Sequence, residues 1–210
     1  IAGIVVNQQG INKTGIQHND YNRIIGLDYN LASANNKWQG KFFYHFSFTP
    51  NQQKIPGANA SWLMYNTRKW EIHWNHEYVD KFYNAAVGFV PRNQIYNPEK
   101  YTMEKLTYWR LEPSIKYKIY PKNSVVNSHG PALYYNYYTD SVLNAMEYLI
   151  MPHYIINFRN TSNIEIHYHE IYQNLWFDTD VTFTQKKRIP RGGYQFRDMM
   201  FLFNTDLRKT

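Results

Sequence analysis

Cysteine is absent from the 210-residue chain. That removes a disulfide framework and any thiolate metal site, and with them the small secreted disulfide scaffold. Long apolar runs are missing too. The best, Ala85 to Val90 and Met199 to Phe203, fall far short of the roughly 20 residues a membrane-spanning helix needs. This excludes helical spans only, because a membrane barrel carries its apolar face in alternation. There is no phosphate-cradling glycine loop and no Gly-x-Ser-x-Gly elbow. No internal repeat and no low-complexity linker breaks the chain, so residues 1–210 read as a single domain. The first residue is Ile1, and no charged leader with an apolar stretch follows it. The expectation is a removed signal peptide or a portion of a longer chain.

Aliphatic residues are scarce, while aromatics reach 18% and tyrosine alone supplies 20 residues. A core of Leu, Ile and Val would be thin. Amphipathic rings suit places where one end meets apolar matter and the other meets water. The net charge of +7 raises nucleic acid or an anionic membrane as partners. The charges are spread along the chain, however, and the densest run, Lys186-Lys187-Arg188 with Arg191 beside Gly192-Gly193, reads as a solvated loop. No nucleic-acid partner is expected.

Alternation is the dominant signal. Over 38–49, Trp38, Gly40, Phe42, Tyr44, Phe46 and Phe48 share one strand face, while Gln39, Lys41, Phe43, His45, Ser47 and Thr49 share the other. Similar patterns occupy 21–31, 70–79, 105–119, 144–158 and 163–177. Further strands are expected at 1–7, 60–66, 131–139 and 194–206. Turn residues fall between them: Asn35-Asn36, Pro50 to Asn59, Asn66 to Lys69, Pro121 to Pro131, Asn160 to Asn163 and Lys186 to Gly193. Residues 93–104 read as loop with room for one helical turn. Gly192-Gly193 reads as a hairpin turn with positive φ, and Gly88 as a bulge or close backbone approach.

The fold class is therefore all-β, an antiparallel meander of about ten long strands. Soluble sandwiches favour strands of about 5–6 residues, whereas crossing hydrocarbon takes about 9–11. Runs of 12 or more favour part or all of a transmembrane outer-membrane barrel. On that reading Trp38, Phe42, Tyr44, Phe46, Trp70, Ile72, Trp74, Ile164, Ile166 and Tyr168 face lipid. Lys41, His45, Glu71, His73, Glu77, Glu165, His167 and His169 form the polar face. A soluble sandwich with an aromatic glycan platform is the alternative, since alternation alone does not tell inside from outside.

Chemistry-bearing patterns are few. Glu165, His167 and His169 share one strand face at a spacing that can grip a metal ion, though the same residues satisfy the polar alternation. No metal or other cofactor is expected. His45, His73 and Asp80 are the residues that a barrel-borne hydrolase would recruit, but their spacing does not single them out. No catalytic residue is assigned.

Residues 69–92 read Lys-Trp-Glu-Ile-His-Trp-Asn-His-Glu-Tyr-Val-Asp-Lys-Phe-Tyr-Asn-Ala-Ala-Val-Gly-Phe-Val-Pro-Arg. The most specific element is Val87-Gly88-Phe89-Val90-Pro91-Arg92. With Ile25-Gly26-Leu27-Asp28-Tyr29 and Pro190-Arg191-Gly192-Gly193-Tyr194-Gln195-Phe196, it resembles a family of large Gram-negative cell-envelope proteins. In that family a carbohydrate-binding-like front domain of the family 9 type precedes a β-barrel-like region of unknown function. The resemblance covers the barrel region. It implies an outer-membrane location, lipid or detergent as surroundings, and other outer-membrane proteins or the rest of its own barrel as partners. It implies a structural, transport or assembly-partner role with a link to carbohydrate handling, glycan being a further partner. The front domain and its activities are not carried over. The tail Leu207-Arg208-Lys209-Thr210 lacks the terminal aromatic of a last barrel strand, so a portion of a larger barrel is expected.

Overall fold

A computed structural model of the chain describes residues 1–12, 15–86, 92–122, 124–182, 184 and 187–205. The described residues contain strands and turns and no helix. The strands are β1 (Ala2–Asn12), β2 (Gly15–Ala32), β3 (Trp38–Phe48), β4 (Gly57–Asn66) and β5 (Trp70–Val79). A two-stranded excursion follows, β6 (Gln94–Asn97) and β7 (Thr102–Lys105). The chain then returns as β8 (Tyr108–Leu111), β9 (Ser114–Tyr117), β10 (Val126–Thr139), β11 (Ala145–Phe158), β12 (Asn163–Leu175) and β13 (Gly192–Asn204).

Each long strand pairs antiparallel with its neighbour in sequence, which makes one meandering sheet. β8 and β9 keep the same register against both β5 and β10. They are one ribbon interrupted at Glu112-Pro113, where the proline supplies no N–H to a ladder. Residues 105–119 are expected from sequence to be a single strand; the structure departs from this at Lys105, which pairs with Gln94 in the β6–β7 hairpin, and at that proline. Counting this ribbon once, the sheet is ten strands wide. No pairing joins β1 to β13 among the described residues, so the sheet has two edges.

The connections follow local chemistry. Asn36 turns β2 into β3 at φ 55°, a left-handed conformation that Asn tolerates better than most residues. Gly192 has the expected positive φ, 149°, but the hairpin turn expected at Gly192-Gly193 is corrected: both residues already pair in β13, with Leu175 and Asn174 of β12. The bulge expected at Gly88 lies outside the described residues. Residues 94–105 correct an expectation: they form a hairpin rather than a loop with a helical turn. The Asn97 side chain explains it. Its Oδ1 accepts the N–H groups of Glu99 and Lys100 at 2.9 and 3.2 Å, and its Nδ2 donates to Glu104 at 2.6 Å. That closes a β-turn before a helix can propagate.

The buried apolar residues are few. Ala58, Val79, Tyr83, Tyr108 and Tyr138 cluster, with Ala85 and Met146 against them. Four of these come from the polar-alternating face of the strands, and Tyr83 comes from the connection that leaves β5. The small core therefore sits between that connection and the polar face. Little of it involves the ring-bearing face.

Candidate functional site

The polar-alternating face of β2 is its buried face. Along β2, Asn22, Ile24 and Asp28 are buried, Asn22 and Asp28 at 7% and 8% exposure. Their alternates Ile25, Leu27 and Tyr29 are open, Leu27 at 64%. Soluble proteins bury apolar groups and leave carboxylates and amides in water. Here polar side chains lie in contact while large apolar ones face outward.

The outward residues form a continuous patch. Val5, Leu27, Phe42, Tyr44, Trp70, Ile72, Trp74, Ile115, Leu133, Tyr154, Ile166, Met199, Phe201 and Phe203 are all exposed. Of the ring-face residues singled out from sequence, Phe46, Ile164 and Tyr168 are half-buried and the rest are exposed. Ring pairs stitch neighbouring strands, among them Trp38 with Tyr65 at 4.7 Å, Trp70 with Tyr117 at 4.6 Å and Tyr78 with Trp109 at 4.5 Å. Tyr148 stacks on Tyr172 at 5.2 Å.

The patch crosses the sheet on a diagonal. One level of cross-strand partners runs Asp28, Phe43, Ala60, Glu77, Arg110, Tyr138, Glu147, Gln173, Tyr194. Against that level the centre of the exposed apolar stretch stands one residue short at Leu27. It stands five residues beyond at Ile72, Ile115 and Leu133, and seven beyond at Tyr154, Ile166 and Phe201. The drift is about eight residues over eight strand spacings. That is about 27 Å along the strands against about 38 Å across them, an angle of roughly 35°.

The polar face is closely paired. Asp28 accepts His45 Nε2 at 2.8 Å and Lys41 at 3.1 Å. His45 reaches it because its ring lies over Gly26, where any Cβ would meet the ring. Glu71 holds Lys118 at 2.8 Å. Glu112 takes Arg110 at 2.7 Å and Asn75 at 2.8 Å, and Tyr134 also donates to it. Glu77 accepts the hydroxyl of the fully buried Tyr108 at 2.8 Å. Buried charges and amides persist because each finds a partner. His73 lies edge-on to Trp62 at 5.7 Å with its Nε2 buried and unpartnered.

Glu165, His167 and His169 do share the polar face, but their polar atoms do not converge. His167 Nε2 bonds Glu165 at 2.9 Å, whereas His169 Nδ1 bonds Asp198 of β13 at 2.6 Å. His153 of β11 packs its ring 5.0 Å from His167. No group of three potential ligands suited to a metal occurs among the described residues. His45, His73 and Asp80 do not meet either. Asp80 caps its own turn through the Phe82 N–H at 2.8 Å.

Two arrangements carry no signal in the sequence. The first is a clasp. The connection after β5 folds across the polar face, where the Asn84 N–H donates to Ser47 Oγ at 3.0 Å. Asn22 Nδ2 donates to the Asn84 carbonyl at 2.8 Å, and Asn22 Oδ1 accepts the Ala86 N–H at 3.3 Å. Within the same connection, burial pushes the Tyr83 phenol up. Farther on, Arg92 pairs with Glu147 of β11 at 2.7 Å and lies over the Tyr138 ring. The second is a polar pair on the ring-bearing face, Ser61 Oγ and His76 Nδ1 at 2.5 Å. Partners from separate strands leave no local spacing to read.

Comparison with known proteins finds no matching family model, no matching curated protein and no matching solved structure.

Proposed function

We propose that this chain forms wall of an outer-membrane β-barrel in a Gram-negative bacterium. The diagonal band of exposed apolar side chains carries the reading. Strands of transmembrane barrels tilt by about 35–45° to the membrane normal. An apolar belt level with the bilayer must therefore cross the cross-strand levels at that angle, and roughly 35° is the slope of this one. Strand length agrees: β2, β10, β11, β12 and β13 have 18, 14, 14, 13 and 13 residues, beyond the 9–11 that hydrocarbon requires. The paired polar face supports it further, since side chains that satisfy one another fill a lumen without needing bulk water.

On this reading Trp38, Phe42, Tyr44, Trp70, Ile72, Trp74 and Ile166 contact lipid tails or the interface, and the clasp lies inside. The edges β1 and β13 need strand partners, because an unpaired ladder cannot face lipid. Those partners are each other, further strands of the same barrel or another outer-membrane protein. The resemblance to the cell-envelope family with a carbohydrate-binding-like front domain fits the same picture. The role is structural, transport or assembly, with a link to carbohydrate handling. A soluble sandwich would need a second sheet over the rings, and nothing among the described residues covers them.

The test is refolding into dodecylmaltoside micelles and into phosphatidylcholine vesicles. The expected results are co-flotation with vesicles, gel migration that changes on heating, and tryptophan quenching by brominated lipid. A monodisperse monomer in buffer without detergent would overturn the proposal.

A further inference from the structure

On most of the polar face the carboxylates, amides and cations answer one another. At the end where β10, β11 and β12 meet their connections, Arg92 still pairs with Glu147, but several neighbouring side chains find no partner among the described residues. A cavity of about 620 Å³ opens there, between the β6–β7 hairpin, the polar face at Tyr138 and Glu147, and residues 173–180. Gln94, Tyr96, Asn174, Trp176 and Arg188 line it. Among the described residues none of these five side chains has a hydrogen-bond, ion-pair or ring partner. Pockets that take small ligands are of this size and combine an apolar lining with a few convergent polar groups.

The chemistry of the lining narrows the ligand. A lipid tail offers no hydrogen-bond partner to the amides of Gln94, which is exposed, and Asn174, which is half-buried. A phosphorylated ligand needs uncompensated positive charge. Arg92 at this cavity is held by Glu147 at 2.7 Å, and Arg188 shares the lining with Asp178 and Asp180. Two open rings, Tyr96 and Trp176, and two planar amides remain. Rings offer flat apolar platforms, and each amide presents both a donor and an acceptor. A sugar matches this set, with C–H faces to lie on rings and hydroxyls that donate and accept.

We propose that this cavity binds a neutral glycan of one to three sugar rings, with Trp176 and Tyr96 as platforms and Gln94 and Asn174 on its hydroxyls. The site does not depend on a bilayer around the sheet, so its test stands apart from membrane insertion.

The full chain, folded in detergent and checked by far-UV circular dichroism, is titrated calorimetrically with maltotriose, cellotriose, xylotriose, chitotriose and inorganic phosphate. At least one neutral trisaccharide is expected to bind with a dissociation constant of about 1 mM or tighter, the range set by about −4 kcal/mol. Trp176→Ala and Asn174→Ala are each expected to weaken it about tenfold, equivalent to about 1.4 kcal/mol. Trp74→Ala, on the opposite face, is expected to leave it unchanged. Failure of all four sugars, binding of phosphate alone, or sugar binding that survives both cavity substitutions would overturn the proposal. Vesicle co-flotation of the same preparations reports separately on the membrane reading.

Discussion

Ser61 and His76 face each other across β4 and β5, hydroxyl to imidazole at 2.5 Å, on the face that otherwise carries rings. Ser61 is 4% exposed, so its oxygen has His76 in place of water. Removing one partner leaves the other stranded at about 1–3 kcal/mol, whereas replacing both with apolar groups is close to neutral. Ser61→Ala should therefore lower the urea midpoint of the folded protein in detergent, and Ser61→Ala with His76→Phe should recover most of the loss. A single Ser61→Ala variant as stable as the parent would contradict the pairing.

Trp38, Tyr65 and Ile72 stand on one cross-strand level, yet the diagonal band puts them at different depths. Ile72 lies at its centre. Trp38 is about four residues from the centre on β3, about 11 Å nearer an interface. Arginine at the bilayer midplane costs about 2–4 kcal/mol and near the interface about 0–1. Ile72→Arg should strongly reduce folding into vesicles, and Trp38→Arg should reduce it little. Equal losses would mean that the belt runs perpendicular to the strands.

The clasp on the polar face rests on Asn22 and Ser47. Together they make three hydrogen bonds to the backbone of Asn84 and Ala86. Losing them in the Asn22→Ala, Ser47→Ala double variant removes about 2–3 kcal/mol at about 1 kcal/mol per bond. The open population of the connection should rise on the order of 30- to 150-fold. Limited trypsin cleavage after Lys81 reads this directly, since cleavage follows the open fraction when closing is fast. An unchanged cleavage rate would remove the clasp from consideration.

Asp140 organises the turn between β10 and β11. Burial pushes its carboxyl up, but hydrogen bonds from the Asn144 side chain and from the N–H groups of Asn144 and Val142 outweigh this and hold it below the usual range. A carboxylate with a depressed folded value stabilises fully above its unfolded value, about 3.9. The stabilisation fades as pH falls through the lower folded value. The parent should gain stability over Asp140→Asn as pH rises from about 2 to about 5, measured by urea midpoints across that range. A constant difference between the two proteins would exclude the linkage.

Much of the secondary structure is legible in the chain itself. The run at 70–79 coincides with β5, and those at 38–49, 144–158 and 163–177 end within two residues of β3, β11 and β12. The misses have local causes that the alternation does not encode. Pro113 splits a ribbon, and the Asn97 side chain closes a hairpin where a loop was expected. The metal stripe shows a different limit. Glu165, His167 and His169 do share a face, but Asp198 comes from β13 to take His169, and a neighbour twenty-nine residues away cannot be read from i, i+2 spacing.

The sequence by itself determined which side chains share a face, because successive residues of a pleated strand must point to opposite sides. It also determined that the strands are long and antiparallel-compatible, through the spacing of its turn residues. Only the tertiary structure decided which face turns outward, how the registers add up to a diagonal apolar band, and which polar groups find one another. Those are properties of pairing between distant segments. No single strand contains the information on where its neighbour's residues fall.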